Sequence, residues 1–157
     1  MLDAYMRRRI DQPLDRLGAR LAAAGLRADA VTLAGFAVGL TAIPLVAAGW
    51  TWAALAALLV NRLADGLDGA VARHDPVSDL GGYLDIVCDF LVYAGIPVGF
   101  ALLDPQANAL AAAVLLFSFM GTGSSFLTYA IIAAKRGETT EIRGPKSLYY
   151  LGGLTEG

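Results

Sequence analysis

The sequence predicts an all-α membrane protein: a polytopic bundle of four membrane-spanning helices preceded by an amphipathic helix at the membrane surface. Of the 157 residues, 57% are hydrophobic and only 17% are charged, and the mean hydropathy is +0.58. This composition excludes an ordinary soluble domain, because the apolar residues come in long uninterrupted blocks. Four blocks each have the roughly 20 residues that a helix needs to cross a hydrocarbon layer about 30 Å thick.

The first 28 residues are expected to form an arm on the cytoplasmic membrane surface. Apolar residues recur every three or four positions from Leu2 to Leu21, and arginines such as Arg7 and Arg16 fall on the opposite face. This periodicity predicts an interfacial amphipathic helix, which Pro13 is expected to break into two pieces. Such an arm either anchors to anionic lipid and covers a lipid-facing site, or serves only for topology and packing.

Residues 29–157 form the predicted membrane-embedded domain, with spans at 30–48, 51–72, 80–103 and 108–134. All 12 Lys and Arg residues lie before the first span, around the connection between the second and third spans, or after the fourth. The positive-inside rule therefore predicts a multi-pass protein of the cytoplasmic (inner) membrane. Both termini of the chain and the second connection would lie on the cytoplasmic side.

Four aspartates stand inside or against the second and third spans. Asp65 and Asp68 are three residues apart and Asp85 and Asp89 are four apart, so each pair shares one helical face. The short connection predicts antiparallel neighbouring helices, and the two pairs are then expected to converge. Carboxylates at bilayer depth need neutralisation, and two hard divalent cations, Mg²⁺ or Mn²⁺, would balance four such charges. Paired cations of this kind commonly serve a displacement at phosphorus.

Small and basic residues accompany the aspartates. Gly66, Gly69, Gly81 and Gly82 remove side chains where a ligand or another backbone comes close. Arg73 follows Asp65 by about two helical turns, where it is placed to meet a phosphate. Each feature alone has a structural explanation, since glycines also pack membrane helices and one arginine also pairs with one aspartate. Their occurrence together favours a site.

These residues also resemble the signature of the CDP-alcohol phosphatidyltransferases, DxxDGxxAR followed by seven or eight residues and then GxxxDxxxD. Every fixed position is matched, at Asp65, Asp68, Gly69, Ala72, Arg73, Gly81, Asp85 and Asp89. Family members often carry NxxT before the first span as well. The corresponding residues here are Asp29 and Thr32, so an aspartate replaces the asparagine.

The resemblance implies an enzyme that replaces the CMP of a CDP-linked lipid, usually CDP-diacylglycerol, with an alcohol. It implies that Asp65, Asp68 and Asp85 bind metal, and that Asp89 shares the metal site and takes the proton of the alcohol. The implied nucleotide-binding residues are Asp29, Thr32, Gly69 and Arg73. The resemblance also implies a homodimer and six spans in a typical member, so this chain is expected to be incomplete at its C-terminus.

The sequence does not identify the alcohol. Arg136, Arg143 and Lys146 follow the fourth span, where they either recognise a phosphorylated alcohol, such as glycerol 3-phosphate or an inositol phosphate, or are ordinary positive-inside charge. Two alternative functions stay open: a non-catalytic membrane protein or inactive fragment, and, less favoured, an intramembrane prenyltransferase. Membrane lipids are expected partners and nucleic acid is not.

Overall fold

The computed structural model describes residues 2–74 and 78–136, with the side chains from residue 13 onwards. These residues form five helices and no strand, which confirms the all-α prediction for this part of the chain. The helices are α1 (Leu2–Ala23), α2 (Ala28–Ala47), α3 (Thr51–Ala72), α4 (Asp79–Leu103) and α5 (Pro105–Arg136).

Three of these helices, α2, α4 and α5, are long and apolar enough to cross a membrane. Helix α3 has 22 residues but carries Arg62, Asp65 and Asp68 in its second half, so the count of four spans stays a prediction. Large apolar side chains lie on the outside of the bundle, and Leu110 and Phe117 are 78% and 81% exposed. Lipid is the environment in which such a surface is stable.

Helix α2 is central, because α3 and α4 both pack against it, while α1 packs on α3 and α5 packs on α4. Glycines allow the close approach. A Cβ atom on Gly35 would lie 2.6 Å from the Cβ of Ala64, and one on Gly99 would lie 2.9 Å from the carbonyl oxygen of Ile43. The backbones of α3 and α4 pack more extensively on α2 than on each other, and polar side chains of α3 and α4 meet between the two helices. Gly35 of α2 permits the contact with α3, whereas Gly95 and Gly99 of α4 permit the contact with Ile43 and Val46 of α2.

Helix α1 continues without a break through Pro13, so the predicted division into two pieces is wrong. Proline removes one amide donor and can bend a helix without ending it. The second half of α1 is also held on α3. A Cβ atom on Gly18 would lie 2.7 Å from the carbonyl carbon of Ala70, and one on Gly66 would lie 3.4 Å from Cδ1 of Leu14. The amphipathic character of α1 stays a prediction, since side chains 2–12 lie outside the described set.

Candidate active site

Three of the four aspartates converge between α3 and α4. One carboxylate oxygen from each of Asp65, Asp68 and Asp85 lies within 4.8 Å of the others. Asp68 is buried, with 7% of its surface exposed, and the other two are half-buried. Oxygens that share one octahedral Mg²⁺ at 2.0–2.1 Å are about 3 to 4 Å apart. Oxygen-only donors at this spacing fit a divalent cation after a small closing movement, so the residues suit the cation that the signature implies.

Thr32 of α2 contacts this group directly. Its hydroxyl donates a hydrogen bond of 2.6 Å to Oδ2 of Asp68. Both residues belong to the lining of a small polar cavity that also includes Asp65, Asp85 and Asp89. Thr32 therefore orients a buried carboxylate. The sequence predicted Thr32 only as a nucleotide-binding residue and did not predict this contact.

Asp29 lies at the start of α2, close to the start of α4. It pairs with Arg27 at 3.0 Å, and a Cβ atom on Gly81 would lie 3.2 Å from its Oδ1. Ser78 begins α4 as an N-cap, since its Oγ accepts a hydrogen bond of 2.9 Å from the amide of Gly81. The glycine of the signature thus brings the first turn of α4 close to Asp29.

Asp89 lies one turn beyond Asp85 on α4 and is held by Arg62 of α3. Nη1 of Arg62 donates to Oδ2 of Asp89 at 3.2 Å, and Nη2 pairs with Oδ1 of the same carboxylate. Nη1 also lies 3.6 Å from Oδ2 of Asp65. Sequence reasoning gave Arg62 no role, although a signal existed: a residue three positions before Asp65 shares its helical face.

Neutral groups fix the rest of the Arg62 guanidinium. Oδ1 of Asn61 accepts from Nε at 3.1 Å and from Nη2 at 2.7 Å. The hydroxyl of Tyr93 accepts from Nη1 at 2.6 Å, and the guanidinium carbon lies 4.9 Å from the centre of the Tyr93 ring. Asn61 is itself buried, and its amide donates to the carbonyl oxygen of Gly35 at 3.0 Å. The position of Arg62 is therefore set by three neighbouring side chains.

The predicted nucleotide residues on α3 differ in their surroundings. A Cβ atom on Gly69 would meet nothing within 4 Å, so space is open beside Asp68. Arg73, by contrast, is paired with Asp15 of α1, with Nε donating to Oδ1 at 2.8 Å. Arg136, from the predicted acceptor segment, ends α5. Arg143 and Lys146 lie outside the described residues.

An apolar cleft of about 320 Å³ lies between α2 and α3. Its lining includes Val31, Val38 and Leu67. Gly35 lines both this cleft and the polar cavity of the aspartates. The apolar cleft and the polar cavity therefore adjoin one another at Gly35.

Comparison with known proteins agrees with this site. Residues 26–147 match the family model of the CDP-alcohol phosphatidyltransferases. Since this match covers most of the chain, the chain belongs to the CDP-alcohol phosphatidyltransferase family. Members transfer a phospholipid group from a CDP-alcohol and generally depend on a divalent metal. Membership favours this chemistry over the prenyltransferase alternative.

Two relatives extend the comparison. The chain is 52% identical over 157 residues to the inner membrane protein YnjF of Escherichia coli (strain K12). The matched region is 100% of this chain and 76% of that relative. The chain is also 38% identical over 98 residues to the archaetidylinositol phosphate synthase of Pyrococcus horikoshii. Here the matched region is 62% of this chain and 52% of that relative. No solved structure matches the chain.

Proposed function

We propose that this protein transfers a phosphatidyl or related phospholipid group from a lipid of the CDP-diacylglycerol type to a small alcohol, with release of CMP, in phospholipid biosynthesis. The convergence of Asp65, Asp68 and Asp85 within the family signature is the observation that carries this proposal. The adjoining apolar cleft supports it, because a lipid substrate needs room for acyl chains beside the polar site.

We assign Asp65, Asp68 and Asp85 as ligands of Mg²⁺ or Mn²⁺, with Asp89 completing a site for two cations. The carboxylate oxygens are the hard donors that both ions prefer. When bound, the cations supply positive charge to the reacting phosphates. Thr32 contributes by holding the buried Asp68 carboxylate in one orientation.

In the proposed reaction, Asp89 takes the proton of the acceptor hydroxyl. The hydroxyl oxygen then forms a bond to the phosphorus that carries the lipid, the bond from that phosphorus to the bridging oxygen breaks, and CMP leaves with that oxygen. A positioned carboxylate contributes typically 10²- to 10⁴-fold to such a proton transfer, by the general order of magnitude for acid–base catalysis. Arg73 would pair with the nucleotide phosphates once it is released from Asp15.

The nucleotide end of the site can be tested with a matched pair of glycine variants. Gly69 would border the cytidine, with Asp29 and Thr32 at the same pocket. A Cβ atom on Gly69 meets no described atom within 4 Å, so Gly69→Ala is expected to fold while raising the KM for the CDP-lipid. Gly99→Ala is the control for packing damage, because its Cβ atom would lie 2.9 Å from the carbonyl oxygen of Ile43, outside the lining of the cavity and the cleft. An unchanged KM in Gly69→Ala would remove the glycine from the proposed pocket.

For the acceptor we propose a phosphorylated alcohol. The relative named archaetidylinositol phosphate synthase supports an inositol phosphate as the first candidate, and Arg136, Arg143 and Lys146 would supply charge for its phosphate. We place the protein in the cytoplasmic membrane as a homodimer, with the site on the cytoplasmic side. The name of the relative from Escherichia coli supports the membrane assignment.

The deciding experiment is an assay of CMP release from CDP-diacylglycerol by the purified chain in lipid nanodiscs. Mg²⁺ or Mn²⁺ is supplied with inositol phosphate, glycerol 3-phosphate, inositol, serine or choline in turn. We expect release with a phosphorylated alcohol, and loss of release with chelator. Absence of release with every acceptor would contradict the proposal and favour a non-catalytic membrane protein.

A further inference from the structure

Arg62 occupies the part of the site that a second cation would need. Its guanidinium contacts two of the signature aspartates, Asp89 directly and Asp65 at 3.6 Å. We propose that the guanidinium of Arg62 competes with a divalent cation for Asp89, so that the second cation enters only when Arg62 leaves this carboxylate. The inference rests on the proposed metal site and adds a residue that controls its loading.

The competition follows from the geometry of the ion pair. Arg62 uses Nη1 and Nη2 on the two oxygens of Asp89, which is the bidentate arrangement that gives arginine–carboxylate pairs their strength. A cation bound to either oxygen would displace one of these donors. It would also lie beside a positive guanidinium, and like charges at such distances repel strongly in a partly buried site. The two occupants of Asp89 therefore exclude one another.

The first cation site has a different environment. Asp65, Asp68 and Asp85 converge without Asp89, and the hydroxyl of Thr32 holds Asp68. A cation can therefore bind at Asp65, Asp68 and Asp85 while Arg62 keeps its contacts with Asp89. This difference predicts one tight and one weak class of cation binding on the same chain.

Neutral partners provide a place for Arg62 after it leaves Asp89. Oδ1 of Asn61 and the hydroxyl of Tyr93 accept three of its hydrogen bonds, and the Tyr93 ring lies against its guanidinium. These contacts do not require Asp89. Displacement therefore removes the charged contact and leaves the side chain with partners, which makes an exchange of occupants feasible without unfolding α3.

The test is Mn²⁺ binding to the purified full-length chain in nanodiscs, with free Mn²⁺ followed by electron paramagnetic resonance and no lipid substrate present. We expect two classes of binding in the unaltered protein. Arg62→Gln should tighten the weak class by about tenfold or more, because an ionic hydrogen-bond pair typically opposes binding by that order. The tight class should change by less than about threefold, since a charge near a half-exposed site is screened.

Two further variants separate occupancy from net charge. Arg20→Gln removes one positive charge from an exposed position of α1 and should leave both classes unchanged. Arg62→Lys keeps the charge but loses the two-pronged contact, so it should tighten the weak class by less than Arg62→Gln does. It also provides a reading if Arg62→Gln fails to fold.

The outcomes distinguish this inference from the proposed function. A weak class that is unchanged in Arg62→Gln and Arg62→Lys, beside an intact tight class, would overturn the competition and leave the metal site standing. Equal tightening of both classes would also overturn it, because the effect would then be general electrostatics. No Mn²⁺ binding in the unaltered protein would overturn the metal assignment itself.

Discussion

Asp85 and Asp89 stand one turn apart on the same face of α4, yet the structure gives them different partners. Asp85 converges with Asp65 and Asp68, whereas Asp89 is engaged by Arg62. Helical periodicity explains why both point toward α3. The neighbouring helix decides the rest, because α3 presents carboxylates to the first position and a guanidinium to the second. Four aspartates of one signature therefore form two environments.

The largest expected effect is at the converging group. Asp85→Asn removes the negative charge of one of the three converging carboxylates, so Mn²⁺ should no longer bind in the tight class. CMP release should fall by about 10³-fold or more, because the cation that stabilises the reacting phosphates is lost. Calorimetry or resonance of free Mn²⁺ measures the first effect and the CMP assay the second. Asp104→Asn is the matched control, because Asp104 caps α5 at the distant end of α4 through a bond of 3.1 Å to the amide of Ala107. Tight Mn²⁺ binding in Asp85→Asn would contradict the assignment.

Asp89→Asn should separate the two environments most clearly. We expect CMP release to fall by about 10²- to 10⁴-fold, since the proposed base is lost. The tight class of Mn²⁺ binding should remain, because Asp89 is not one of the three converging ligands. Both quantities are measured on the same preparation. Loss of both the tight class and CMP release would show that Asp89 belongs to the first cation site. Asp85 and Asp89 would then share one environment.

Thr32→Val tests the support of the first environment with a smaller change. The substitution keeps the shape of the side chain and removes the hydroxyl that donates a hydrogen bond of 2.6 Å to Asp68. Groups that orient metal ligands typically contribute about 10- to 100-fold in affinity, so the tight class should weaken within that range. The weak class should change less. Equal weakening of both classes would indicate a general disturbance of α2 and not a role at Asp68.

The sequence predicted the all-α class, and its signature located the aspartates that meet in the structure. Spacing along α3 and α4 sufficed for the shared faces, because that geometry is local. The position of Arg62 at Asp89 could not be derived in the same way, since it depends on how α2 sets the distance between α3 and α4. The continuity of α1 through Pro13 could not be derived from the sequence either, because a proline inside a helical pattern is compatible with a bend as well as with a break.

A second arginine–aspartate pair, Arg73 with Asp15, is more exposed than the pair of Arg62 with Asp89, so the smallest effect is expected there. Arg73 and Asp15 are about half exposed, whereas Arg62 and Asp89 are about one-third exposed. Exposed pairs contribute about 0.2 to 1 kcal/mol. If Asp15 competes with nucleotide phosphate for Arg73, Asp15→Asn should lower the KM for the CDP-lipid by about two- to fivefold and leave kcat unchanged. The decrease in KM should be smaller at high salt, because screening already weakens the ion pair there.

Arg73→Gln is the opposite variant and should raise the KM for the CDP-lipid. A higher KM in Asp15→Asn would mean that α1 positions Arg73 for the substrate, and the two pairs would then differ in role as well as in exposure.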